Sequence, residues 1–367
     1  MSDVRRLVQD ALDQLVESGA ETGLQVAVYQ HGELVVDAVA GVADSATGRV
    51  VTSSTLFFSA STLKGVTSAV AHVLVQRGAL GYDTPIVELW PEYGAHGKES
   101  TTLRHVLTHT AGVPGIPADT TREDLTDWAK MTAAIADTEP WWVPGEKISY
   151  HAHTFGYIVG ELVRRATGKT LSQVLRDEVA GPLGVGDEVF FAVPERQLPR
   201  LAKMEAPEGN AEMIAMMASM FAKIAPADTL PDATYGNRAD ILTAQIPAGG
   251  TTTARGVARV YAALIGEVDG VRLVSAKRLK EISAVAFSGV DEVMGYPVAW
   301  TLGYSPGRPG LEPGSPTTAF GMEGAGGSAA FADPASGIAF ALTRNLFSFS
   351  EGGAAEQLAG LVTKTLA

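Results

Sequence analysis

Ser61 and Lys64 stand three residues apart in the stretch Phe58-Ser59-Ala60-Ser61-Thr62-Leu63-Lys64-Gly65. A serine hydroxyl is a weak nucleophile at neutral pH. A neighbouring lysine can take its proton once burial or positive surroundings lower the amine's pKa. From Ser61 onward Val66, Ala69, Val70, Val73 and Leu74 recur at helical spacing. That pattern predicts a helix with Ser61 in its first turn and Lys64 one turn later on the same face. The N-terminus of such a helix adds a positive bias and unpaired backbone N–H groups, which is what an oxyanion needs when Ser61 attacks a carbonyl. The same spacing also occurs at ordinary surface helix starts, so the pair needs support from other elements.

The supporting chain has 367 residues, 46% hydrophobic and 19% charged, with no run of like charges. That is enough to bury a large core. A net charge of −13 repels phosphate backbones and anionic lipid heads, so neither nucleic acid nor a membrane surface is expected as a partner. The absence of cysteine removes disulfides, Fe–S clusters, thiolate zinc sites and a cysteine nucleophile. The opening stretch from Met1 to Leu12 reads as an amphipathic helix without the apolar core of a signal peptide, and a cytoplasmic location is the expectation. No apolar segment approaches the length of a membrane span.

In order, two β-rich runs at 24–29 and 33–40 flank Gln30-His31-Gly32, a hairpin signal. The Ser61 helix ends near Gly78, and 101–109 reads as a short capped helix stopped at Gly112. His105 and His109 sit four apart. A zinc site would need a third ligand and usually an intervening Glu, so they read as structural histidines and no metal is expected. Helical segments follow at 121–139 and 155–165, separated by Trp141-Trp142-Val143-Pro144-Gly145 and Ser149-Tyr150-His151-Ala152-His153. Met204, Met213, Met216, Met217 and Met220 mark either a partly buried helix or a pliable apolar wall over a pocket. A glycine turn at 247–250 precedes a helix at 254–266 that Thr251 to Thr253 can cap. Strands are expected at 298–304, 327–332 and 337–343, then a C-terminal helix. The order predicts an α+β fold with an antiparallel sheet flanked by helices and a helical insert. Residues 1–85 and 245–367 would form the sheet domain and 86–244 a mostly helical domain with a Met-rich lid, the active site lying between them.

Four stretches together resemble the serine β-lactamase and penicillin-binding-protein superfamily, specifically its esterase branch. Ser61 to Lys64 matches its Ser-x-x-Lys, Val106-Leu107-Thr108-His109-Thr110-Ala111-Gly112 its Leu-Leu-Thr-His-x-Ser/Ala-Gly, and Pro144 through Tyr150 its Pro-Gly-x-x-x-x-Tyr. Gly324-Ala325-Gly326-Gly327-Ser328 resembles the family's third-motif strand, and Tyr150-His151-Ala152 the Tyr-His-Ala of the esterases, where β-lactamases have Tyr-x-Asn. The resemblance implies a β-lactamase/transpeptidase-like fold, Ser61 as nucleophile and Lys64 and Tyr150, as phenol or phenolate, as proton carriers. It also implies an oxyanion hole from the backbone of Ser61 and Ala325, and a substrate wall including Trp142, His151, Phe155, Met322, Glu323 and Gly324.

One departure stands out. Where the family has Lys-Thr-Gly, or a histidine in the esterases, this chain has Met322-Glu323-Gly324. Methionine can neither bind a carboxylate nor relay a proton, so Met322 is expected to line the pocket beside Tyr150 and to disfavour penicillins. The functional expectation is an acyl-enzyme esterase for small apolar esters. The second candidate is an acyltransferase that passes the acyl group to an amine or alcohol, and behind both stand a β-lactamase or peptidase and a catalytically dead binding domain. The Gly-x-Ser-x-Gly signature of α/β-hydrolases is absent. No cofactor is expected, and the oligomeric state, the acyl donor and the acceptor stay open.

Overall fold

Gln30 and Glu33 face each other across a two-residue turn in which His31 and Gly32 adopt φ of 50° and 87°. Paired left-handed residues match the natural twist of a hairpin, so the strands β1 (Gly23–Gln30) and β2 (Glu33–Asp44) follow directly from this turn. They belong to a computed structural model that describes residues 3–207, 209, 211–247, 249–348 and 352–366. Met1, Ser2, the side chain of Met213 and Ala248, each part of a stretch read above, lie outside the described residues.

The helix α1 (Asp3–Glu17) precedes the hairpin, and β3 (Arg49–Val50) extends it. Then comes α2 (Leu63–Gln76), followed by the largely helical middle of the chain with α3 (Trp128–Asp137), α4 (Thr154–Thr167), α5 (Ala211–Phe221) and α6 (Ala254–Ile265). The last third carries β4 (Phe287–Val290), β5 (Pro297–Trp300), β6 (Ser305–Pro306), β7 (Phe320–Glu323), β8 (Ala329–Asp333) and β9 (Ile338–Arg344), and ends in α7 (Ala354–Leu366). Seven strands form one sheet in the order β3-β2-β1-β9-β8-β7-β6, with every named pairing antiparallel. Its two halves, from opposite ends of the chain, join where Leu24 faces Arg344 and Gln30 faces Ile338.

Both faces of the sheet centre are covered. Leu24, Val26, Val28, Ile338, Phe340 and Leu342 pack on one face with Val4, Val8 and Leu12 of α1 and Leu358 and Val362 of α7. Ala27, Tyr29, Ala339 and Ala341 face the opposite core, which α2 and α6 fill. A strand buried on both sides reads as a continuous apolar run, which is how the sequence presents these two. Every residue of α2 from Leu63 to Val75 is buried. Tyr261 of α6 approaches α2 so closely that a Cβ at Gly65 would lie 2.0 Å from its hydroxyl.

One expectation needs correction. Residues 298–304 are not one strand: β5 pairs with β4 in a separate two-stranded ribbon, and the outermost strand of the large sheet is β6. Gly303, at φ 89°, donates its N–H back to the Thr301 carbonyl at 2.9 Å, and this tight turn redirects the chain. The mostly helical stretch 86–244 also contributes one short strand beside the site. Val189–Phe190 and Phe57–Phe58 pair on either side of Thr251–Thr252, in strands too short for a periodic pattern to show. Among the described residues no helix is long and apolar enough to cross a membrane.

Candidate active site

The small three-stranded sheet delivers the chain to Ser61. Past Phe58, the Ser59 N–H donates to the Gly250 carbonyl at 2.9 Å, and Ala60 takes a φ of 30°, uncommon for a residue with a Cβ. Gly249 packs against Ala60, where a Cβ would sit 3.1 Å from the Ala60 Cα. A single 3-10 turn, Ala60–Thr62, then opens α2. Thr62 Oγ1 pairs with Ser328 Oγ at 2.8 Å and with the Ser328 carbonyl at 3.1 Å. Ser328 closes a turn in which Gly324 N–H donates to its carbonyl at 2.8 Å and Gly327 N–H to the Gly324 carbonyl at 3.0 Å. Gly326 and Gly327 have φ of 88° and 89°, and a Cβ on either would fall 2.5 Å from Phe347 or Arg344. The glycines of this turn therefore answer to backbone shape and close packing. The result brings Ala325 into the cavity that Ser61 lines.

Lys64 Nζ donates to Ser61 Oγ at 3.0 Å and lies 5.2 Å from the centre of the Tyr150 ring. The lysine is 1% exposed, and that burial pushes its amine down from 10.5 to about 7. The Tyr150 side chain lines the same cavity as Ser61 and lies within its electrostatic reach. Burial raises its phenol above the ordinary value near 10, and the nearby Ser61 hydroxyl opposes this in part. At neutral pH the arrangement thus combines an amine that can accept a proton with a phenol that still holds one.

What holds Tyr150 was not legible in the sequence. Asp291, 1% exposed, accepts from the Tyr150 N–H at 2.8 Å, from Ser149 Oγ at 2.9 Å, and from the N–H groups of Val293 and Met294 at 2.9 Å each. Trp300 stacks on the Tyr150 ring, centroids 5.9 Å apart. His109 packs against both rings, its centroid 4.2 Å from that of Trp300 and 4.8 Å from that of Tyr150, and its Nδ1 accepts from the His151 N–H at 3.0 Å. Burial keeps the His109 ring neutral, well below its ordinary value. Asp291 follows directly after β4 and Trp300 ends β5, about 140 to 150 residues from Tyr150, and an acid in an irregular connection gives no local signal of this task.

The cavity encloses about 520 Å³, part of it open to solvent, and its wall is mainly apolar: Phe58, Met217, Phe221, Leu230 and Tyr235, with Ala152 and His153 beside Tyr150. Of the Met-rich segment, Met217 lines it, Met216 and Met220 are exposed, and Met204 is buried. None of the six side chains expected as wall lines this cavity. Trp142 is buried, donating from Nε1 to the Thr110 carbonyl at 3.3 Å. His151 is wholly buried with Nδ1 2.7 Å from the Ser149 carbonyl, and Phe155 packs on His109. Gly324 serves the turn described above. Met322, opposite Ala330 on β7, is buried and borders an outer groove with Tyr296 and Arg308, and Glu323 is exposed at that groove. The expectation for Met322 assumed an edge strand aimed at the site. Instead β6 covers β7, and Ala325 reaches the cavity only because the chain has already left the strand. His105 closes a capping box with Thr102 on the short helix Leu103–Leu107. Among the described residues no group of three or more His, Cys, Asp or Glu could hold a metal ion.

The chain matches the Beta-lactamase family model over residues 8–363. It is 36% identical to the esterase/beta-lactamase LipL of Mycobacterium tuberculosis over 339 residues, covering 88% of this chain and 77% of that one. To the esterase EstB of Burkholderia gladioli it is 31% identical, over about half of each chain. A crystal structure of a family VIII carboxylesterase superposes with a TM-score of 0.88 at 31% identity, covering 99% of this chain and 98% of that one. EstA from Arthrobacter nitroguajacolicus Rue61a superposes with a TM-score of 0.85 at 25% identity, covering 100% and 97%. With a serine and a buried lysine 3.0 Å apart at the head of a central helix, the chain belongs to the beta-lactamase family, in its esterase branch, and is a serine hydrolase or acyltransferase of acyl-enzyme type.

Proposed function

We propose that Ser61, Lys64 and Tyr150 are the catalytic residues of a carboxylesterase acting on small esters. The observation that carries this is the single cluster in which Ser61 Oγ meets Lys64 Nζ at 3.0 Å and that amine lies 5.2 Å from the centre of the Tyr150 ring. Ser61 Oγ attacks the ester carbonyl as its proton passes to the Lys64 amine. The backbone N–H groups of Ser61 and Ala325 receive the oxyanion. Collapse breaks the ester C–O bond. The departing alkoxide takes a proton from the Tyr150 phenol, which regains one from the Lys64 ammonium. The acyl-enzyme is then cleaved by water, with the same groups working in reverse.

Ala152 lines the cavity where β-lactamases place an asparagine, and a methyl group cannot hydrogen-bond a substrate amide. This favours esters over β-lactams and peptides. A second reading, transfer to an amine or alcohol, draws support from the apolar wall of Met217, Phe221 and Leu230, since transfer needs a site that disfavours water. The test is intact-mass analysis after exposure to a fluorophosphonate and to a 4-nitrophenyl ester, with product analysis at increasing amine concentration. An adduct on Ser61, absent in Ser61→Ala, is the expected result. Labelling that survives the substitution would overturn the assignment, and the acid-to-amide ratio separates hydrolysis from transfer.

A further inference from the structure

The turn that carries Ala325 is built from the most permissive backbone in the site. Gly326 and Gly327 follow Ala325 with φ of 88° and 89°, a region that glycine enters freely and can leave as freely. An oxyanion donor works only if its N–H is fixed before the charge develops. The turn must therefore be held by its neighbours. Toward the nucleophile, Ser328 Oγ meets Thr62 Oγ1 at 2.8 Å, and a Cβ on Gly324 would fall 3.0 Å from the Ser59 carbonyl oxygen. A second support is Arg344, the last residue of β9, whose Nη1 would lie 2.5 Å from a Cβ on Gly327.

Arg344 is 4% exposed, and its guanidinium is fixed at two further points. Nε lies 2.9 Å from Glu21 Oε2, and Nη2 donates to Ser348 Oγ at 2.7 Å. Glu21, equally buried, sits between α1 and β1, where its own N–H donates to the Leu15 carbonyl at 3.0 Å. Contacts thus run from the end of α1 through Glu21 and Arg344 to Gly327, two positions from Ala325. As a stabiliser the pair has little to offer. Burial raises the Glu21 carboxyl and lowers the Arg344 guanidinium from their usual values, each against the pull of its partner. Apolar side chains of similar volume commonly replace such pairs without loss of stability. What a rigid, forked cation between a carboxylate and a hydroxyl does provide is a fixed surface, and the Cα of Gly327 rests on it.

We propose that Arg344, held in place by Glu21, is a positioning residue for the oxyanion hole: its guanidinium fixes the 324–328 turn and so the direction of the Ala325 N–H. This rests on the reading of Ser61 as nucleophile and Ala325 as oxyanion donor, and adds to it two residues that do not line the cavity.

The test separates transition-state from ground-state effects. Acylation by 4-nitrophenyl butyrate is followed in single turnover for the native enzyme, Arg344→Met, Arg344→Lys and Glu21→Gln, with active sites counted by fluorophosphonate labelling of Ser61. Arg344→Met is expected to slow acylation by about 10–100-fold, while the substrate concentration giving half the maximal rate moves by less than about threefold. Affinity for butylboronic acid, whose tetrahedral adduct places an oxygen in the oxyanion hole, should fall in parallel with the rate. Arg344→Lys keeps a cation for Glu21 and should recover part of the loss. Glu21→Gln loosens the guanidinium and should show a smaller loss of the same kind. A purely structural pair would lower only the unfolding temperature, so unchanged acylation per labelled site and unchanged boronate affinity in Arg344→Met overturn the proposal. Should that variant not fold, Glu21→Gln decides: slower acylation with weaker boronate binding supports the role of Arg344, and native values for both overturn it. Absence of Ser61 labelling in the native enzyme is a different failure, which removes the nucleophile assignment itself, whereas native labelling with unaffected variants removes the role of Arg344 alone.

Discussion

Lys64 and Lys98 are both buried to within 1% of completely, and they are put to opposite uses. Lys98 Nζ donates to the backbone carbonyls of Ala95 at 2.8 Å, Ala136 at 3.0 Å and Thr138, so its ammonium ties the 3-10 segment Pro91–Gly97 to the C-terminal end of α3. Burial lowers its pKa, while Asp137 and Glu99 pull it back up. Lys64 meets the Ser61 hydroxyl and the face of the Tyr150 ring, and burial lowers its pKa to about 7. The difference teaches that burial by itself does not make a lysine a base. Three carbonyls stabilise a charge and make a structural clamp. At Lys64 the net effect of burial is a neutral amine that is competitive near pH 7, which is the condition for taking a proton from serine.

The sharpest break in the comparison is expected from Lys64→Met. It should lower acylation by about 10³-fold or more, in line with loss of a general base, without lowering the thermal unfolding temperature. Single-turnover release of 4-nitrophenol alongside differential scanning calorimetry measures both, and near-normal acylation would remove Lys64 from the mechanism. Lys98→Met should do the reverse. It orphans three backbone carbonyls and is expected to cost about 2–4 kcal/mol, while turnover per folded molecule stays within about twofold. Between these, Asp291→Ala strips the acceptor from Tyr150 N–H, Ser149 Oγ and two further N–H groups. It should lower both kcat, by roughly 10–100-fold, and stability, which neither lysine variant does.

A subtler test reads protons. The folded pKa of Lys64 lies near 7 and the unfolded one near 10.5, so between these pH values the unfolded chain binds a proton that the folded chain has released. Lys64 therefore costs stability below about pH 7, and the cost is relieved as pH rises toward 10.5. That contribution to the slope should vanish in Lys64→Met, as should the rise of kcat/KM through pH 7 in the native enzyme. A slope identical in both proteins would show that Lys64 is charged in the folded state. The smallest effect is expected from Met322→His. With Met322 buried outside the cavity, the ratio of hydrolysis to transfer should hardly move, and the loss should be about 1–2 kcal/mol of stability from a misplaced imidazole. A changed product ratio would return Met322 to the site.

Periodicity and turn chemistry carried much of the fold. The helix bearing Ser61, the hairpin around His31-Gly32, the helix after Thr253 and the final strand pair all follow from short-range rules, because spacing along the chain fixes which side chains share a face. The Ser61 to Lys64 contact was legible for the same reason: one helical turn sets it. Residues 298–304 were misread because a single left-handed glycine splits an apolar run that periodicity treats as continuous.

Other parts of the site depend on contacts between residues distant in sequence. Asp291 holds Tyr150 across 141 positions, Thr62 meets Ser328 across 266, and Leu24 faces Arg344 across the join between the two ends of the chain. Such contacts form when apolar faces from different segments are buried together, and their partners carry no mark in local spacing. The sequence alone determined the family, pointed to the trio proposed to react and set the direction of the helix that carries two of them. The tertiary structure decided which lysine stands beside Ser61, which way Met322 faces and that Asp291 holds Tyr150, because burial and hydrogen bonding are properties of surroundings that only the folded chain assembles.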